Sequence, residues 1–396
     1  MNASLAELQA LDAAHVMQTY GRLPVAFVRG AGTRLWDSDG KEYLDFLSGL
    51  AVTSLGHAHA EVADAIAEQA HTLLHVSNLY YNDVQPHVAA KLDALLGGGG
   101  RVFFCNSGAE ANECAIKLAR RHGQRNGGPE RYHVLSAYGS FHGRTLTTLA
   151  ATGQPQKQET FQPLPAGFQQ VTFGDLDALG AAMDDRVAAV LLEPVQGEGG
   201  VNPATAEYLH GVRRLCHERE ALFIVDEVQT GLGRTGAWFG FQHSGVAPDI
   251  VTMAKALGNG MPIGACWARA EVAAAFAPGD HATTFGGQPL AARAALAVLD
   301  VMEREDVPAR AARAGERLTE RLTKLDGVAG VRGAGLLLAA ELGRERDAKD
   351  IAQRCLDDGL VLNAVTPTAL RLAPPLLVTD DEIDAAVAIL DKALCA

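Results

Sequence analysis

Residues 222–264 read LFIVDEVQTGLGRTGAWFGFQHSGVAPDIVTMAKALGNGMPIG, and this stretch decides the predicted fold. Its first four residues are apolar and predict a buried strand, which ends on Asp226. A second short strand, 250–252, comes just before Lys255, whose neighbours are apolar residues and glycines. In open α/β sheets, ligands bind at the carboxyl ends of the strands. The stretch therefore predicts an acid and a lysine close together at such an edge.

Lys255 is expected to be desolvated, because a solvated surface lysine normally has polar neighbours. Desolvation disfavours the charged ammonium, which lowers the pKa and frees the amine as a nucleophile. The alternative is a buried lysine that pairs with a carboxylate for structural reasons. A nucleophilic lysine and an acid on neighbouring strand ends are what pyridoxal phosphate chemistry needs, since the lysine forms an imine and the acid keeps the pyridine nitrogen protonated.

The stretch resembles the class III aminotransferases, the group that acts on ornithine, acetylornithine and 4-aminobutyrate. Their pattern is Asp-Glu-Val-Gln-x-Gly-x-Gly-Arg-x-Gly after an apolar run, and later Lys-x-Leu-Gly-x-Gly-x-Pro-Ile-Gly. Every fixed position is filled here, by Asp226, Glu227, Val228, Gln229, Gly231, Gly233, Arg234, Gly236, Lys255, Leu257, Gly258, Gly260, Pro262, Ile263 and Gly264.

A competing interpretation of this stretch is a dinucleotide site, because residues 231–236 formally match G-x-G-x-x-G. That fingerprint requires its first glycine directly after a strand and its last at the start of a helix. Here four residues separate Asp226 from Gly231, and the residues after Gly236 do not begin a helical pattern. We therefore reject the nucleotide interpretation.

Composition excludes several classes of protein. The chain has 396 residues, of which 48% are hydrophobic and 20% charged, with a formal net charge of −13. This is ordinary globular composition, and with no basic tract a nucleic-acid partner is not expected. We expect no secretory signal and no membrane span. The six scattered cysteines indicate free thiols in a reducing compartment, so the predicted location is cytoplasmic. No motif indicates a metal site.

The rest of the chain predicts an α/β protein. Apolar strands alternate with helices from about residue 101 to 268, which favours a mostly parallel sheet covered on both faces. A helix is predicted over 5–20, and strands over 25–28, 34–36 and 43–46. After residue 289 the pattern changes to long helices and a glycine-rich strand region. The resemblance implies the aspartate aminotransferase-like fold of type I, with an N-terminal segment 1–52 belonging to the small domain, a large cofactor-binding domain 53–288 and a C-terminal small domain 289–396.

The cofactor-binding residues are predicted from the helix that starts after Ser107 and from the resemblance to the family. Ser107 follows a strand and is a good helix N-cap, and Glu110 completes a capping box. Free N–H groups at such a helix start can bind an anion. The resemblance implies the remaining roles: the phosphate is held by Ser107, Gly108 and Ala109, the ring is stacked between Phe141 and Val228, and its phenolic oxygen is bound by Gln229.

The resemblance also implies the substrate-binding residues. Arg144, in a Phe-His-Gly-Arg element, corresponds to the arginine that binds a substrate carboxylate, a task that suits its planar fork. Glu198 is expected to pair with Arg371, so that the charge of this second arginine is masked or released as the substrate requires. Tyr20 is expected near the donor's α-carboxylate.

A homodimer is implied by the segment around residue 284. In the family this segment crosses the subunit interface, so Thr284 is expected to bind the phosphate of the other subunit's cofactor, and Thr283 to lie near the substrate. The active sites are then shared between subunits.

The pattern from Arg29 to His57 looks most like the acetylornithine branch of the family. The expected reaction moves the terminal amino group of N2-acetylornithine to 2-oxoglutarate, giving N-acetylglutamate 5-semialdehyde and glutamate in arginine biosynthesis. Lys255 is the expected general base and Asp226 stabilises the protonated ring. Two alternatives stay open: a class III enzyme with another donor (ornithine, succinylornithine, succinyldiaminopimelate or 4-aminobutyrate), and a non-catalytic binding protein on the same fold.

Overall fold

The structure, a computed structural model, describes residues 4–395. The helices are α1 Leu5–His15, α2 Ser48–Ala51, α3 Ala60–Thr72, α4 Gln85–Leu95, α5 Gly108–Gly127, α6 Leu146–Ala151, α7 Pro155–Gln158, α8 Leu176–Ala182, α9 Ala206–Glu218, α10 Ala270–Ala273, α11 Pro289–Arg304, α12 Val307–Thr323, α13 Ala348–Asp357 and α14 Asp380–Cys395. Three short 3₁₀ segments are Glu159–Phe161, Gly240–His243 and Lys255–Gly258.

The strands are β1 Phe27–Ala31, β2 Arg34–Asp37, β3 Glu42–Asp45, β4 Gly100–Cys105, β5 His133–Ala137, β6 Phe168–Val171, β7 Val187–Leu192, β8 Val195–Gln196, β9 Asn202–Pro203, β10 Leu222–Asp226, β11 Ile250–Met253, β12 Gly264–Arg269, β13 Val328–Ala334, β14 Leu337–Leu342, β15 Leu360–Val361, β16 Asn363–Thr366 and β17 Ala369–Leu372.

Seven strands form the central sheet, in the order β4-β12-β11-β10-β7-β5-β6. β12 runs antiparallel to both of its neighbours, and the remaining pairs are parallel. Every residue of β7, β10 and β11 is buried. Strands that are covered on both faces need apolar side chains at every position rather than at alternate ones. The prediction of a mostly parallel sheet with helices on both faces is confirmed.

Alternate side chains of one strand enter two separate cores. Ala189 and Leu191 of β7 pack with buried residues of α5, whereas Val190 and Leu192 pack in the larger core that includes residues of α9. Successive side chains of a strand point to opposite faces, so a fully apolar strand needs a helix layer on each side. This arrangement leaves the carboxyl ends of the strands as the edge where polar side chains can gather.

Residues 4–395 also form two four-stranded sheets and one two-stranded sheet, in which β8 pairs with β9. β13, β14, β17 and β16 form an antiparallel sheet in that order. β1, β2 and β3 form a meander, and β15 pairs with β3 in parallel, with Leu360 opposite Leu44. Strands from the two ends of the chain therefore share one sheet.

Some predicted boundaries were wrong. The first helix ends at His15 and Val16 is extended, so it does not continue to Tyr20. No residue of α1 is buried, so no packing within the chain supports a longer helix. The first strand spans Phe27–Ala31 rather than 25–28. β6 was not predicted, because its sequence Phe-Gln-Gln-Val has no apolar run and it lies at the edge of the sheet.

Among residues 4–395, no helix is long and apolar enough to cross a membrane. Within the same range, no group of three or more His, Cys, Asp or Glu side chains is arranged to hold a metal ion.

Candidate active site

A cavity of about 390 Å³ opens at the carboxyl ends of the central strands. Ten of the fourteen predicted site residues line it, namely Ser107, Gly108, Ala109, Phe141, Arg144, Glu198, Asp226, Val228, Gln229 and Lys255. They come from five separate parts of the chain, which the sheet brings to one edge. The four predicted residues outside the lining are Tyr20, Thr283, Thr284 and Arg371.

One residue, Ala254, separates Lys255 from the end of β11, and Lys255 opens a 3₁₀ turn with a left-handed φ of 43°. Within residues 4–395, no carboxylate oxygen lies within 4.0 Å of its Nζ. The two acidic side chains that influence it most have other partners, since Glu198 pairs with Arg371 and Asp226 with His142. Burial lowers the pKa of Lys255 to about 8. These contacts argue against a structural ion pair and leave an amine that is partly neutral near neutral pH.

Asp226 ends β10 and is held by a hydrogen-bonded network. Its Oδ2 accepts from Asn112 Nδ2 at 2.7 Å and lies 2.8 Å from His142 Nδ1, and its Oδ1 accepts from the backbone N–H of Val228 at 3.0 Å. Thr252, on the adjacent strand β11, donates to Asn112 Oδ1 at 2.8 Å. The carboxylate is only 4% exposed. Its orientation is therefore fixed by α5, the 138–145 loop and β11 together.

The start of α5 follows β4 at the same edge of the sheet. Ser107 is the N-cap, and its Oγ accepts from the N–H of Glu110 at 3.2 Å. The predicted capping box was wrong in its second half, because Glu110 Oε2 accepts from the N–H of Asn106 at 2.7 Å instead of that of Ser107. The first N–H groups of a helix have no partners within it. The N–H groups of Gly108 and Ala109 are thus available to an anion in the cavity.

Position 108 has no room for a side chain, so it requires glycine. A Cβ there would lie 2.7 Å from Cγ1 of Val228, whose side chain lines the cavity. Phe141 lines the same cavity, and its N–H donates to Glu193 Oε2 at 3.1 Å. Burial, reinforced by the charge of Asp226, raises the pKa of Glu193 well above its ordinary value.

Arg144 is exposed, and its guanidinium carbon lies 5.8 Å from the centre of the Phe141 ring. In the described part of the chain, none of its nitrogens is within 4.0 Å of a carboxylate oxygen. Lys157 approaches the same ring, with Nζ at 5.1 Å from its centre. The side of the cavity at Arg144 is therefore positively charged and free to bind an anionic group.

Glu198 and Arg371 form an ion pair across a sequence separation of 173 residues. Glu198 Oε1 accepts from Arg371 Nη1 at 2.6 Å, and Gln229 Oε1 accepts from the same nitrogen at 3.3 Å. Burial alone would raise the pKa of Glu198, but the adjacent guanidinium outweighs it and holds the pKa below its ordinary value. Arg371 is 1% exposed and does not line the cavity, whereas Glu198 and Gln229 do. The guanidinium is thus covered by these two side chains.

Tyr20, Thr283 and Thr284 lie outside this cavity. Tyr20 is 73% exposed. Thr283 and Thr284 line a second cavity of about 730 Å³, and Thr283 Oγ1 accepts from Asn106 Nδ2 at 3.2 Å. Because Asn106 lines the first cavity, the two cavities are adjacent.

The sequence did not predict a role for several residues whose hydrogen bonds orient Asp226 and Arg371. His142 stands within the Phe-His-Gly-Arg element but received no role, and Asn112 and Thr252 were not singled out. A signal for the last two was present, since each is a polar residue on an otherwise buried surface of α5 or β11. Asn363, which accepts from Arg371 Nε at 3.1 Å, had no such signal.

Comparison with known proteins agrees with this geometry. The family profile "Aminotransferase class-III" matches residues 16–394. An acetylornithine aminotransferase of Caldanaerobacter subterraneus is 49% identical over 384 residues, covering 96% of this chain and 97% of the relative. A second, of Methanocaldococcus jannaschii, is 48% identical and covers 96% of each chain. The crystal structure of the ornithine aminotransferase from Toxoplasma gondii superposes with a TM-score of 0.95 at 35% identity, covering 99% of this chain and 95% of that one.

Fold and cavity together define a pyridoxal-phosphate-dependent aminotransferase of fold type I. The chain belongs to the class III aminotransferase family. The described residues fit the cofactor: among them no carboxylate pairs with Lys255, Asp226 is a buried carboxylate at the same cavity, the start of α5 offers N–H groups, and Gly108 leaves room that a side chain would fill. The predictions of the family, the fold class and the cofactor are confirmed.

Proposed function

We propose that the protein transfers the terminal amino group of N2-acetyl-L-ornithine to 2-oxoglutarate, giving N-acetyl-L-glutamate 5-semialdehyde and L-glutamate, in arginine biosynthesis. The curated relatives at 45–50% identity over nearly the whole chain carry the name acetylornithine aminotransferase. The observation that carries the proposal is the Glu198–Arg371 pair beside Lys255. One site has to accept a donor whose reacting end carries no carboxylate and an acceptor with a carboxylate next to its reacting carbon, and a covered arginine meets both needs.

The proposed cofactor contacts follow from the cavity. The N–H groups at the start of α5 would bind the phosphate, and the ring would lie between Phe141 and Val228. Asp226 would hold the ring nitrogen protonated, and its network of N–H donors keeps one oxygen oriented for that contact. Gln229 accepts from Arg371 through its Oε1, which leaves its NH₂ group to donate to the phenolic oxygen of the ring.

Lys255 is the proposed carrier of the cofactor and the general base. Bound pyridoxal phosphate supplies an electron sink for the carbon that bears the reacting nitrogen. Once released, Lys255 Nζ would take the proton from that carbon and later return one. A pKa of about 8 suits this task, because a general base works best when its pKa is near the working pH. The apolar side chains of Phe141, Val228 and Ile263 line the cavity and would restrict the access of bulk water to this proton.

Arg144 is the proposed partner of the donor's α-carboxylate. It is exposed on the cavity side, has no carboxylate partner in residues 4–395, and can form a bidentate pair. Tyr20 is proposed to lie near the same carboxylate, and Thr283 near the substrate. Tyr20 is mostly exposed in a single chain, so its role requires the second subunit or closure of the segment that carries it.

We propose a homodimer with shared active sites. Thr284 would bind the phosphate of the partner subunit's cofactor, which is supported by its exposure and by the second cavity that it lines. Large apolar side chains nearby are exposed, notably Leu79 at 85%, Tyr81 at 101% and Phe285 at 60%. A patch of this kind on one subunit is typical of a protein interface.

Two inactive variants test this shared site. In a heterodimer of Lys255→Ala and Thr284→Ala subunits, a shared site puts both lesions in one active site and leaves the other intact. About half of the wild-type activity per dimer should return. Purified heterodimers without activity would show that each site is built within one subunit.

We also propose a division of the chain into domains and a cellular compartment for the protein. The pairing of β3 with β15 supports assigning residues 1–52 to the small domain with 289–396, and leaves 53–288 as the large cofactor-binding domain. Five of the six free cysteines are buried, and no pair of them forms a disulfide among the described residues. Free thiols support a cytoplasmic location.

The donor specificity is tested with separated half-reactions. The cofactor-loaded enzyme is mixed with acetylornithine, succinylornithine, ornithine, succinyldiaminopimelate or 4-aminobutyrate, and the change in cofactor absorbance gives a rate constant for each. Acetylornithine should give the highest kcat/KM. A higher value for free ornithine or 4-aminobutyrate would assign the chain to another branch of the family, and no change with any donor would favour a non-catalytic binding protein.

A further inference from the structure

Arg371 is a buried cation whose other hydrogen-bond partners, besides one carboxylate, are neutral side chains. It is 1% exposed, and Glu198 supplies the only carboxylate within 4.0 Å of it in residues 4–395. Its Nε donates to Asn363 Oδ1 at 3.1 Å, and Nη1 also donates to Gln229 Oε1 at 3.3 Å. Nη2 is buried and has no hydrogen-bond partner within the same range of residues. The N–H groups of Nη2 are therefore left without an acceptor among these residues.

Asn363 faces Arg371 because of strand register. β16 and β17 are antiparallel, and Asn363 is paired with Arg371. Directly opposite residues on adjacent strands place their side chains next to each other. Since Nε can only donate, the side-chain oxygen of Asn363 faces it and the amide nitrogen points elsewhere. Asn363 thus satisfies one edge of the guanidinium without neutralising its charge.

The contact with Asn363 occupies only Nε, so Nη1 and Nη2 are the nitrogens of Arg371 that can meet a substrate carboxylate. Nη1 is bound to Glu198, which is 26% exposed at its side chain and lines the cavity, so Glu198 is the partner that can move aside. A carboxylate that bridges Nη1 and Nη2 would then replace Glu198 and also satisfy the buried Nη2, which is costly to leave unpaired. A dicarboxylate substrate thereby gains a contact with Nη2 that Glu198 alone does not make.

We propose that Asn363 is a positioning residue that sets specificity for the dicarboxylate half-reaction. This proposal rests on the proposed function, because it requires Arg371 to receive the carboxylate of 2-oxoglutarate that is adjacent to the reacting keto carbon. Asn363 fixes Arg371 from the Nε side with a neutral acceptor, so the guanidinium keeps both its orientation and its charge when Glu198 leaves. An acid at this position would neutralise Arg371 permanently.

The test compares half-reactions of the cofactor-loaded wild type and the Asn363→Asp variant. The kcat/KM for 2-oxoglutarate should fall about tenfold or more, mainly through KM, because a uniform binding contact is lost. The rate with acetylornithine should stay within about twofold, since its reacting end does not use Arg371. Asn126→Asp is the matched control: it adds the same charge 18 residues along α5 from Gly108, about 27 Å away by helical rise.

A second variant distinguishes the loss of this hydrogen bond from the effect of an added charge and from a general loss of activity. Asn363→Ala removes the acceptor without adding a charge, and should raise KM for 2-oxoglutarate more than it changes kcat. Its melting temperature should fall by no more than a few degrees, because a single buried N–H loses its acceptor. In a Glu198→Ala background, Asn363→Asp should restore discrimination against glutamate as an amino donor, because a carboxylate on the Nε side again masks the arginine.

Equal losses in both half-reactions for the two Asn363 variants would overturn the proposal and show a structural role only. Unchanged kinetics with 2-oxoglutarate would overturn it as well. Failure of the proposed function looks different: wild type would not react with acetylornithine, whereas Asn363→Asp would still weaken dicarboxylate binding.

Discussion

Removing the Glu198 carboxylate should alter which substrates the enzyme prefers. Glu198 Oε1 lies 2.6 Å from Nη1 of Arg371, a guanidinium that is 1% exposed. In the Glu198→Ala variant this cation loses its carboxylate partner and one of the two side chains that cover it from the cavity. The variant should react faster with glutamate and bind 2-oxoglutarate more tightly, and should discriminate less well in favour of acetylornithine.

The size of this effect follows from one contact. A charge-assisted hydrogen bond in a partly buried site contributes about 1.5–3 kcal/mol. The same amount of free energy should appear in the ratio of kcat/KM for acetylornithine to that for glutamate, which corresponds to about tenfold to a hundredfold. The pair is partly accessible through Glu198, whose side chain is 26% exposed, so the lower part of this range is expected at high salt.

Single-turnover absorbance changes with acetylornithine, glutamate and 2-oxoglutarate measure each half-reaction separately. Glu341→Gln is the matched control, because Glu341 pairs with Arg332 on β13 and β14, outside the cavity lining. The complementary Arg371→Ala variant should slow the 2-oxoglutarate half-reaction and largely spare the other. If both variants lose the same factor in both half-reactions, the pair is structural and the masking argument fails.

Three further predictions concern the cofactor site. Lys255 in the apoprotein should titrate near pH 8, because burial disfavours its charged form; at pH 8 about half of it would be neutral, against about 0.3% for an ordinary lysine. Competitive acetylation followed by peptide mass spectrometry measures this midpoint, and a value above pH 10 would contradict it. Gly108→Ala should weaken cofactor binding by about 1–3 kcal/mol, because the new Cβ forces Val228 out of place; equilibrium dialysis tests this, with Gly21→Ala as a control that meets no atom within 4 Å. Asp226→Asn should lower kcat at least about tenfold with little loss of folding, since it removes the charge but keeps the shape; an unchanged kcat with normal cofactor binding would remove Asp226 from the mechanism.

The pH dependence of stability also has a defined sign. The folded-state pKa of Lys255 is lower than its unfolded value of 10.5, so the unfolded chain binds more protons between about pH 8 and 10.5. Apoprotein stability should therefore gain from this residue as the pH rises through that window, and Lys255→Met should remove the gain. Thermal melting of the two apoproteins at pH 7 and pH 10 measures the difference.

Several features were predictable from sequence because they depend on local composition. Continuous apolar runs are required where strands are covered on both faces, so β7 and β10 could be predicted almost residue by residue. The setting of Lys255 among apolar residues and glycines predicted its desolvation, and the N-cap role of Ser107 needed only the residue types near it. The family motifs then supplied the roles of residues whose local sequence is not informative.

Tertiary structure decided which side chains meet. Asp226 is fixed by Asn112 and His142, which are 114 and 84 residues away in sequence, and Glu198 meets Arg371 across 173 residues. A hydrogen bond between such distant residues depends on the packing of whole elements, for which local propensity carries no information. The same reason explains why the role of Asn363 appears only when the register of β16 and β17 is known. Local sequence therefore predicted most of the elements and the reactive groups, whereas the partners of those groups depend on how elements that are distant in sequence pack together.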